Sequence, residues 1–294
     1  MVTKTKSPGQ SPGLFFFGDF DRQGVDWLSP KDPSTMSNPV VSTHLDEHVL
    51  YITLNRPDKM NAFNVAMLQG LAEAMTRLEE DSAARCALLT ASGGHFTAGL
   101  DLAEVASYMQ ENNGGLFDEE LVDPLQLQGR KRSKPVVMAV QGYCLTIGIE
   151  LILASEITIA HPETRFGQIE VKRGIFPFGG ATFRFHQRCG WGNAMRYLLT
   201  GDRFDGSTAL DMGLVQELSD DPVATATAIA KSIAEQAPLA VQATLSNAKL
   251  AEEQGERAAI DALNPTIHQL MQTADAAEGV RSFVERRKAN FTGK

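Results

Sequence analysis

The chain has 294 residues, of which 43% are hydrophobic and 21% are charged, so it carries enough apolar material to bury a sizeable core. Its 27 basic and 36 acidic residues give a formal net charge of −9, which disfavours general nucleic-acid binding because that requires clustered Lys and Arg. A phosphorylated small ligand remains compatible with this charge, since a few local cations can hold one. No apolar run reaches the roughly 18 residues of a membrane span, so we expect a cytoplasmic protein that makes no membrane contact.

The first segment, residues 1–40, is rich in Ser, Pro, Gly and Asp and shows no sustained hydrophobic periodicity. This composition predicts a flexible N-terminal extension. The alternative is an ordered arm that packs on a neighbouring subunit.

From residue 49 onwards, β-branched apolar runs alternate with segments whose apolar residues recur at helical spacing. Strands separated by helices with short connections indicate an α/β fold with mostly parallel pairing. The predicted strands lie at 49–54, 86–90, 135–140 and 157–160, and the predicted helices of this part lie at 64–80, 102–108 and 149–155.

Beyond residue 225 the strand patterns stop, and Ala, Glu and Gln dominate three segments with helical character, at 223–235, 239–254 and 256–275. We therefore predict an α/β core over residues 41–222 and a helical C-terminal region over residues 223–294.

Cysteine and histidine spacing argues against metal or redox chemistry. The three cysteines show no CxxC pair, and Cys86 and Cys144 lie in apolar runs that favour buried thiols. The histidines lack the H-x-x-x-H and H-E-x-x-H spacings of metal sites. No G-x-G-x-x-G follows a predicted strand, so we expect neither a metal ion nor a bound cofactor.

Two glutamates are distinguished by where they lie along the chain. Glu150 interrupts an apolar run after a Gly-bracketed turn, where an unpaired charge would be costly to bury. Glu170 follows the fourth predicted strand, in the region where α/β proteins place ligand-binding loops. A pair of carboxyls in a dry site can divide acid and base roles between them. The alternative is that Glu150 forms a buried ion pair and Glu170 is a surface residue.

Two glycine-containing turns are candidates for anion-binding backbone. Residues 96–101 join a strand to a predicted helix, and residues 146–148 form a second turn of this kind. Free N–H groups at such turns can stabilise an anion, and two that converge on one oxygen form an oxyanion hole. Simple turn geometry is the alternative for each.

Taken in order, five segments resemble the enoyl-CoA hydratase/isomerase (crotonase) family over about residues 45 to 292. They are residues 54–63 (LNRPDKMNAF), 96–102 (FTAGLDL), 142–151 (GYCLTIGIEL), 166–170 (FGQIE) and 283–291 (FVERRKANF).

The resemblance implies a crotonase-like spiral of ββα units and a C-terminal helical trimerisation region, with a homotrimer or hexamer as the assembly. It implies that the substrate is an acyl-CoA thioester and that CoA enters only as part of that substrate. By position, Glu150 and Glu170 correspond to the family's two hydratase glutamates, and the N–H groups of Leu100 and Ile147 to its oxyanion hole. The substrate-binding positions that the resemblance implies are Leu100, Ile147, Ala98, Gly99, Asp101, Gly148, Lys59, Ala62 and Lys288.

The chain departs from the family pattern at three places. Thr146 and Ile147 replace consecutive glycines, and the Ile147 side chain is expected to reshape the acyl pocket. Ile169 replaces a common proline. Phe178 stands near a position where dienoyl-CoA isomerases of the family carry an acidic residue, which disfavours that activity.

Three functions are compatible with these segments. The first is an enoyl-CoA hydratase, a lyase that uses both glutamates. The second is a double-bond isomerase, or another enzyme of CoA-enolate chemistry, which needs the oxyanion hole and one base. The third is a non-catalytic acyl-CoA-binding or protein-binding member, which the presence of both glutamates disfavours.

Overall fold

The computed structural model describes residues 39–112 and 114–294. The predicted extension at residues 1–40 therefore lies outside the described residues, apart from its last two positions. Asn38–Lys294 forms one compact unit.

The strands of the described residues form two sheets. The larger has six strands in the order β1-β2-β3-β4-β6-β9, and the smaller has the order β5-β7-β8. Their bounds are β1 Val41–Asp46, β2 Val49–Leu54, β3 Cys86–Ala91, β4 Val136–Val140, β5 Tyr143–Leu145, β6 Ile157–Ala160, β7 Arg165–Gly167, β8 Phe204–Asp205 and β9 Glu217–Leu218.

The helices lie on the faces of the sheets and in the C-terminal region. Their bounds are α1 Val65–Glu80, α2 Leu102–Glu111, α3 Ile147–Leu153, α4 Ala181–Cys189, α5 Trp191–Thr200, α6 Gly206–Asp211, α7 Pro222–Ala234, α8 Pro238–Gln254, α9 Glu256–Leu270 and α10 Ala274–Glu285.

Parallel pairing dominates the larger sheet, as predicted. β2, β3, β4, β6 and β9 are parallel neighbours, and β1 joins β2 as an antiparallel edge strand. Strands buried on both faces are near-continuously apolar, and every residue of β4 is buried. One face of the sheet packs on α1, and the other on Ala226, Ala230 and Ala234 of α7, which are spaced one helical turn apart.

A two-strand-plus-helix unit recurs along the chain. In one unit β4 joins the larger sheet, β5 joins the smaller sheet, and α3 follows. In the next unit β6 and β7 take the corresponding places, and a 3-10 helix, Glu170–Arg173, follows. The segment after β3 extends the pattern, because Thr97 pairs with Cys144 in a parallel bridge before α2 begins. The spiral of ββα units is therefore confirmed.

The C-terminal region is helical as predicted, but the single helix expected at 256–275 is wrong. α9 ends at Leu270, and Thr273 caps a separate helix, α10, by accepting a hydrogen bond from Ala276 N at 3.1 Å. An N-cap of this kind starts a new helix because the side-chain oxygen satisfies a free backbone N–H. None of the described helices is both long and apolar enough to cross a bilayer.

Candidate active site

Glu150 lies inside the protein, on the first turn of α3. Its side chain is buried, and its Oε1 accepts hydrogen bonds from Gly179 N at 2.6 Å and from Ala181 N at 3.4 Å. These N–H groups belong to the start of α4, where the helix dipole favours negative charge. Among the described residues no cation lies within ion-pair distance of Glu150, so the predicted alternative of a buried ion pair is wrong.

Glu170 opens the 3-10 helix that follows β7. β5 and β7 are parallel neighbours, with Leu145 opposite Gly167, so the segments carrying the two glutamates leave the same edge of the smaller sheet. Glu170 is 6% exposed. It is therefore not the surface residue that the alternative interpretation required.

Both carboxyls are held away from their ordinary titration range. Burial is the main cause that raises the pKa of Glu150 to about 7, against the opposing effect of the Gly179 and Ala181 N–H groups and the charge of Arg184. Burial also raises the pKa of Glu170 to about 7, and the neighbouring charge of Glu150 acts in the same direction. Like charges in one dry site disfavour double ionisation, so near neutral pH the pair can hold one proton.

Gln168 is a contact of this pair that the sequence did not single out. It is fully buried between β7 and Glu170. With its NH2 group facing its acceptors, the amide donates to Glu170 Oε1 at 3.0 Å and Oε2 at 3.3 Å, and to Thr146 O at 3.2 Å. These bonds fix the carboxylate of Glu170 and link it to the turn that begins α3.

The two glycine-containing turns lie side by side. Thr97 N donates to Tyr143 O at 2.9 Å and Leu145 N donates to Thr97 O at 3.1 Å, so the two segments run parallel and enter their turns together. A Cβ at Gly99 would overlap the Thr146 hydroxyl, which shows how closely the turns approach.

This approach leaves two backbone donors on neighbouring turns. Within the part of the chain that the structure describes, neither Leu100 N–H nor Ile147 N–H donates to a protein acceptor. Ile147 opens α3, where the first N–H groups of a helix lack internal partners. The pair therefore has the requirements of an oxyanion hole: two free donors, adjacent backbone turns and a helix N-terminus.

The segment at 59–63 packs against the first of these turns. Ala98 N donates to Met60 O, and Phe63 N donates to Gly99 O at 2.8 Å. Lys59 is exposed and Ala62 is half-buried beside this contact. The structure thus brings the predicted positions Lys59, Ala62, Ala98 and Gly99 together.

Arg56 and Asn61 hold this arrangement and were missed as individual residues. Arg56 donates to Ala62 O at 2.9 Å and pairs with Asp101 at 3.1 Å, so Asp101 helps to hold the turn. Asn61 is fully buried and donates to Ser92 O and His95 O. Both lie in the segment 54–63, and the resemblance of that segment to the family was the signal that could have identified them.

Two further predicted substrate-binding residues, Gly148 and Lys288, lie in different parts of the structure. A Cβ at Gly148 would lie 2.7 Å from a methyl carbon of Thr97, so this glycine allows α3 to approach the neighbouring turn. Lys288 forms an exposed ion pair with Glu235 at 2.6 Å. No described contact joins Lys288 to the two glutamates.

Metal ligation has no visible basis in the described residues. They contain no group of three or more His, Cys, Asp and Glu side chains that could hold an ion. All three cysteines are buried and unpaired, as predicted for Cys86 and Cys144.

The site can be compared with known proteins. The sequence profile of the family described as enoyl-CoA hydratase/isomerase matches residues 44–294. The enoyl-CoA hydratase EchA19 of Mycobacterium tuberculosis is 32% identical over 251 residues, which cover 84% of this chain and 94% of that protein. The 1,2-epoxyphenylacetyl-CoA isomerase of Escherichia coli is 31% identical over 258 residues, covering 86% of this chain and 98% of that protein.

The fold has similar solved structures. The crystal structure of a probable enoyl-CoA hydratase/isomerase from Mycobacterium abscessus superposes with a TM-score of 0.84 at 49% identity, over 87% of this chain and 99% of that one. An enoyl-CoA hydratase from Mycobacterium tuberculosis gives 0.78 at 33% identity, over 87% and 100%. This chain has the crotonase fold and belongs to the enoyl-CoA hydratase/isomerase family.

Proposed function

We propose that the protein is an enoyl-CoA hydratase, which adds water across the 2,3 double bond of a trans-2-enoyl-CoA thioester. The observation that supports it is the pair of buried glutamates, Glu150 and Glu170, both with a pKa raised to about 7. A general acid and a general base work best when their pKa values lie near the working pH.

In the proposed reaction the thioester oxygen accepts hydrogen bonds from Leu100 N–H and Ile147 N–H. Glu150 takes a proton from water as the water oxygen bonds to C3, and the electrons of the double bond move towards the thioester oxygen. Glu170 then delivers its proton to C2. Before the addition Glu170 holds the one proton of the pair, and after the addition Glu150 holds it. Transfer of that proton from Glu150 to Glu170 restores the starting state.

Lys59 and Lys288 are the proposed partners of the CoA phosphates. Lys59 is exposed next to the first turn. Lys288 is paired with Glu235, but both side chains are exposed, and such pairs exchange easily because exposed ion pairs are weak.

The experiment follows the loss of enoyl absorbance from crotonyl-CoA for the wild type, Glu150→Gln and Glu170→Gln. We expect each substitution to lower kcat by about 10²–10⁴, the usual contribution of an acid or base. Glu163→Gln is the matched control, because Glu163 is exposed. Wild-type rates in both Gln variants would overturn the proposal.

A double-bond isomerase is the second candidate, because the family to which the chain belongs is described as enoyl-CoA hydratase/isomerase. Isomerisation requires the oxyanion hole and one base. It is distinguished by the same assay with a 3-enoyl-CoA: gain of conjugated absorbance, without hydration of crotonyl-CoA, would favour the isomerase.

We also propose a homotrimer or a pair of trimers as the assembly. The support is the family resemblance of the C-terminal region together with an exposed apolar stripe along α9 and its C-cap residue, formed by Ile260, Leu263, Ile267 and Met271. Large apolar side chains that are exposed together mark contact surfaces.

A further inference from the structure

Thr146 carries a hydroxyl that has no explanation within the protein. Its Oγ1 is closed to solvent and finds no hydrogen-bond partner among the described residues. It does not cap α3, although Thr146 occupies the N-cap position. Buried polar atoms are normally paired, and each exception calls for a reason.

The backbone of Thr146 is also strained. Its φ of 49° and ψ of −112° lie outside the regions that a β-branched residue favours. Strain of this kind costs of order 1–3 kcal/mol and persists at sites where it serves a function. A strained backbone and an unpaired hydroxyl therefore coincide in one residue.

The backbone angles of Thr146 place its Cβ, and the close approach to Gly99 places its hydroxyl. At a tetrahedral Cα, a ψ of −112° nearly eclipses Cβ with the following amide nitrogen, so the side chain lies beside the Ile147 N–H. On the other side, a Cβ at Gly99 would overlap Oγ1, and Gly99 directly precedes Leu100. The hydroxyl is thus close to the turn that carries the Leu100 N–H as well as to its own turn, which carries the Ile147 N–H.

Three donors without a partner among the described residues therefore lie on the two neighbouring turns: Leu100 N–H, Ile147 N–H and the Thr146 O–H. Ile147 as a residue is 1% exposed and the Thr146 hydroxyl is closed to solvent, so an acceptor can approach these donors only if the turns move. Donors that lack partners in the free protein are satisfied by a ligand that brings an acceptor.

We propose that the Thr146 hydroxyl is a third donor to the thioester oxygen, so that the oxyanion hole of this protein combines two backbone groups and one side chain. The inference rests on the proposed function, because it requires a thioester carbonyl between Leu100 and Ile147. The bond strengthens as negative charge develops on the oxygen during addition, so the hydroxyl contributes more to kcat than to binding.

Three substitutions separate the hydroxyl from the shape and strain of the residue. Thr146→Val removes the hydroxyl and keeps the shape, Thr146→Ser keeps the hydroxyl, and Thr146→Gly removes it while relieving the strain. Thr158→Val is the matched control, because Thr158 also has a buried hydroxyl without a partner but lies in β6 of the larger sheet.

The readouts are kcat and KM for crotonyl-CoA and the carbonyl stretching frequency of a bound enoyl-CoA labelled with carbon-13 at the carbonyl. We expect Thr146→Val and Thr146→Gly to lower kcat by about 10²-fold, the lower end of the cost of one oxyanion donor, and to move the stretch towards its solution value. Thr146→Ser and the control Thr158→Val should keep kcat and the stretching frequency near their wild-type values.

Wild-type kcat and stretching frequency in either Thr146→Val or Thr146→Gly would overturn the inference, as would a loss of kcat in Thr146→Ser equal to that in Thr146→Val. Thermal melting checks that each variant is folded. If Thr146→Val does not fold, Thr146→Gly provides the test. The two proposals fail separately. If the wild type and Thr146→Val hydrate crotonyl-CoA at the same rate, only the inference fails. If the wild type binds the thioester without hydration but the stretch depends on Thr146, only the hydratase proposal fails.

Discussion

At the scale of single residues, the side chains of Glu150 and Glu170 destabilise the folded protein when they are ionised. Each has a pKa raised from 4.5 to about 7, mainly by burial, so the folded state binds their protons more tightly than the unfolded state does. Their contribution to stability is therefore fully present below about pH 4.5 and is lost as the pH rises through about 7.

This sign gives a prediction for the double variant Glu150→Gln/Glu170→Gln, which cannot ionise at either site. Its free energy of unfolding, relative to wild type, should rise between pH 4.5 and 7 and level off above. Since one pKa unit corresponds to about 1.4 kcal/mol, the gain should be on the order of a few kcal/mol at pH 8. Chemical denaturation across this pH range measures it, with Glu163→Gln as the control, and a pH-independent difference would contradict the prediction.

Some residues of the site could be predicted from the sequence, and others could not. Glu150 was identifiable because a charge in an apolar run must have a special environment, and Glu170 because it follows a predicted strand. Gln168 and Gly179 were not, and Thr146 was identified only as a departure from the family's glycines, because their contacts depend on which segments meet in space. Nothing near Gly179 in the sequence indicates that its N–H faces a carboxylate 29 positions earlier.

At the scale of elements, the start of α4 fixes Glu150. Gly179 N donates to its carboxylate, and a Cβ at Gly179 would overlap Oε2 and lie 2.5 Å from Cδ. The Glu150 carboxylate therefore has room in this position only because residue 179 is a glycine. A carboxylate displaced from this contact would lose its alignment with the substrate.

We predict that Gly179→Ala lowers kcat by about 10²-fold, because a misplacement of about 1 Å can have that effect. Gly192→Ala in α5 is the control, since a Cβ there meets nothing within 4 Å, and Ala favours a helix over Gly by up to about 1 kcal/mol. Steady-state kinetics and melting temperatures should show the first variant impaired in turnover and the second unimpaired in both. Unchanged kcat in Gly179→Ala would mean that Glu150 does not need this contact.

Elements differed in how well their patterns predicted them. β2 and β3 were predicted within one residue because buried parallel strands are continuously apolar. β5, β7, β8 and β9 were missed, since each has two or three residues and such lengths show no periodicity. β1 was missed because its residues are half-buried or exposed on an edge strand.

At the scale of the whole molecule, one part of the C-terminal region packs against the sheet and another part remains exposed. α7 packs on the larger sheet through its alanines. On α9, by contrast, only Ala259 is buried. Glu278 and Asp275 of α10 bind the backbone of the last residues, through Asn290 N, Thr292 N and Gly293 N. The C-terminal end is thus held in place while one face of α9 remains apolar and exposed.

That face leads to a prediction about assembly. Ile260, Leu263, Ile267 and Met271 recur at spacings of three and four residues and are between 49% and 63% exposed, so they form one stripe along the helix. If the stripe is the contact between subunits, Ile267→Glu places a charge in an apolar interface and should dissociate the trimer or hexamer into monomers. Gln269→Glu adds the same charge at an exposed position off the stripe and should leave the assembly intact. Molar mass by light scattering at micromolar concentration distinguishes these outcomes. A monomeric wild type, or an Ile267→Glu variant of unchanged mass, would show that this face has another role.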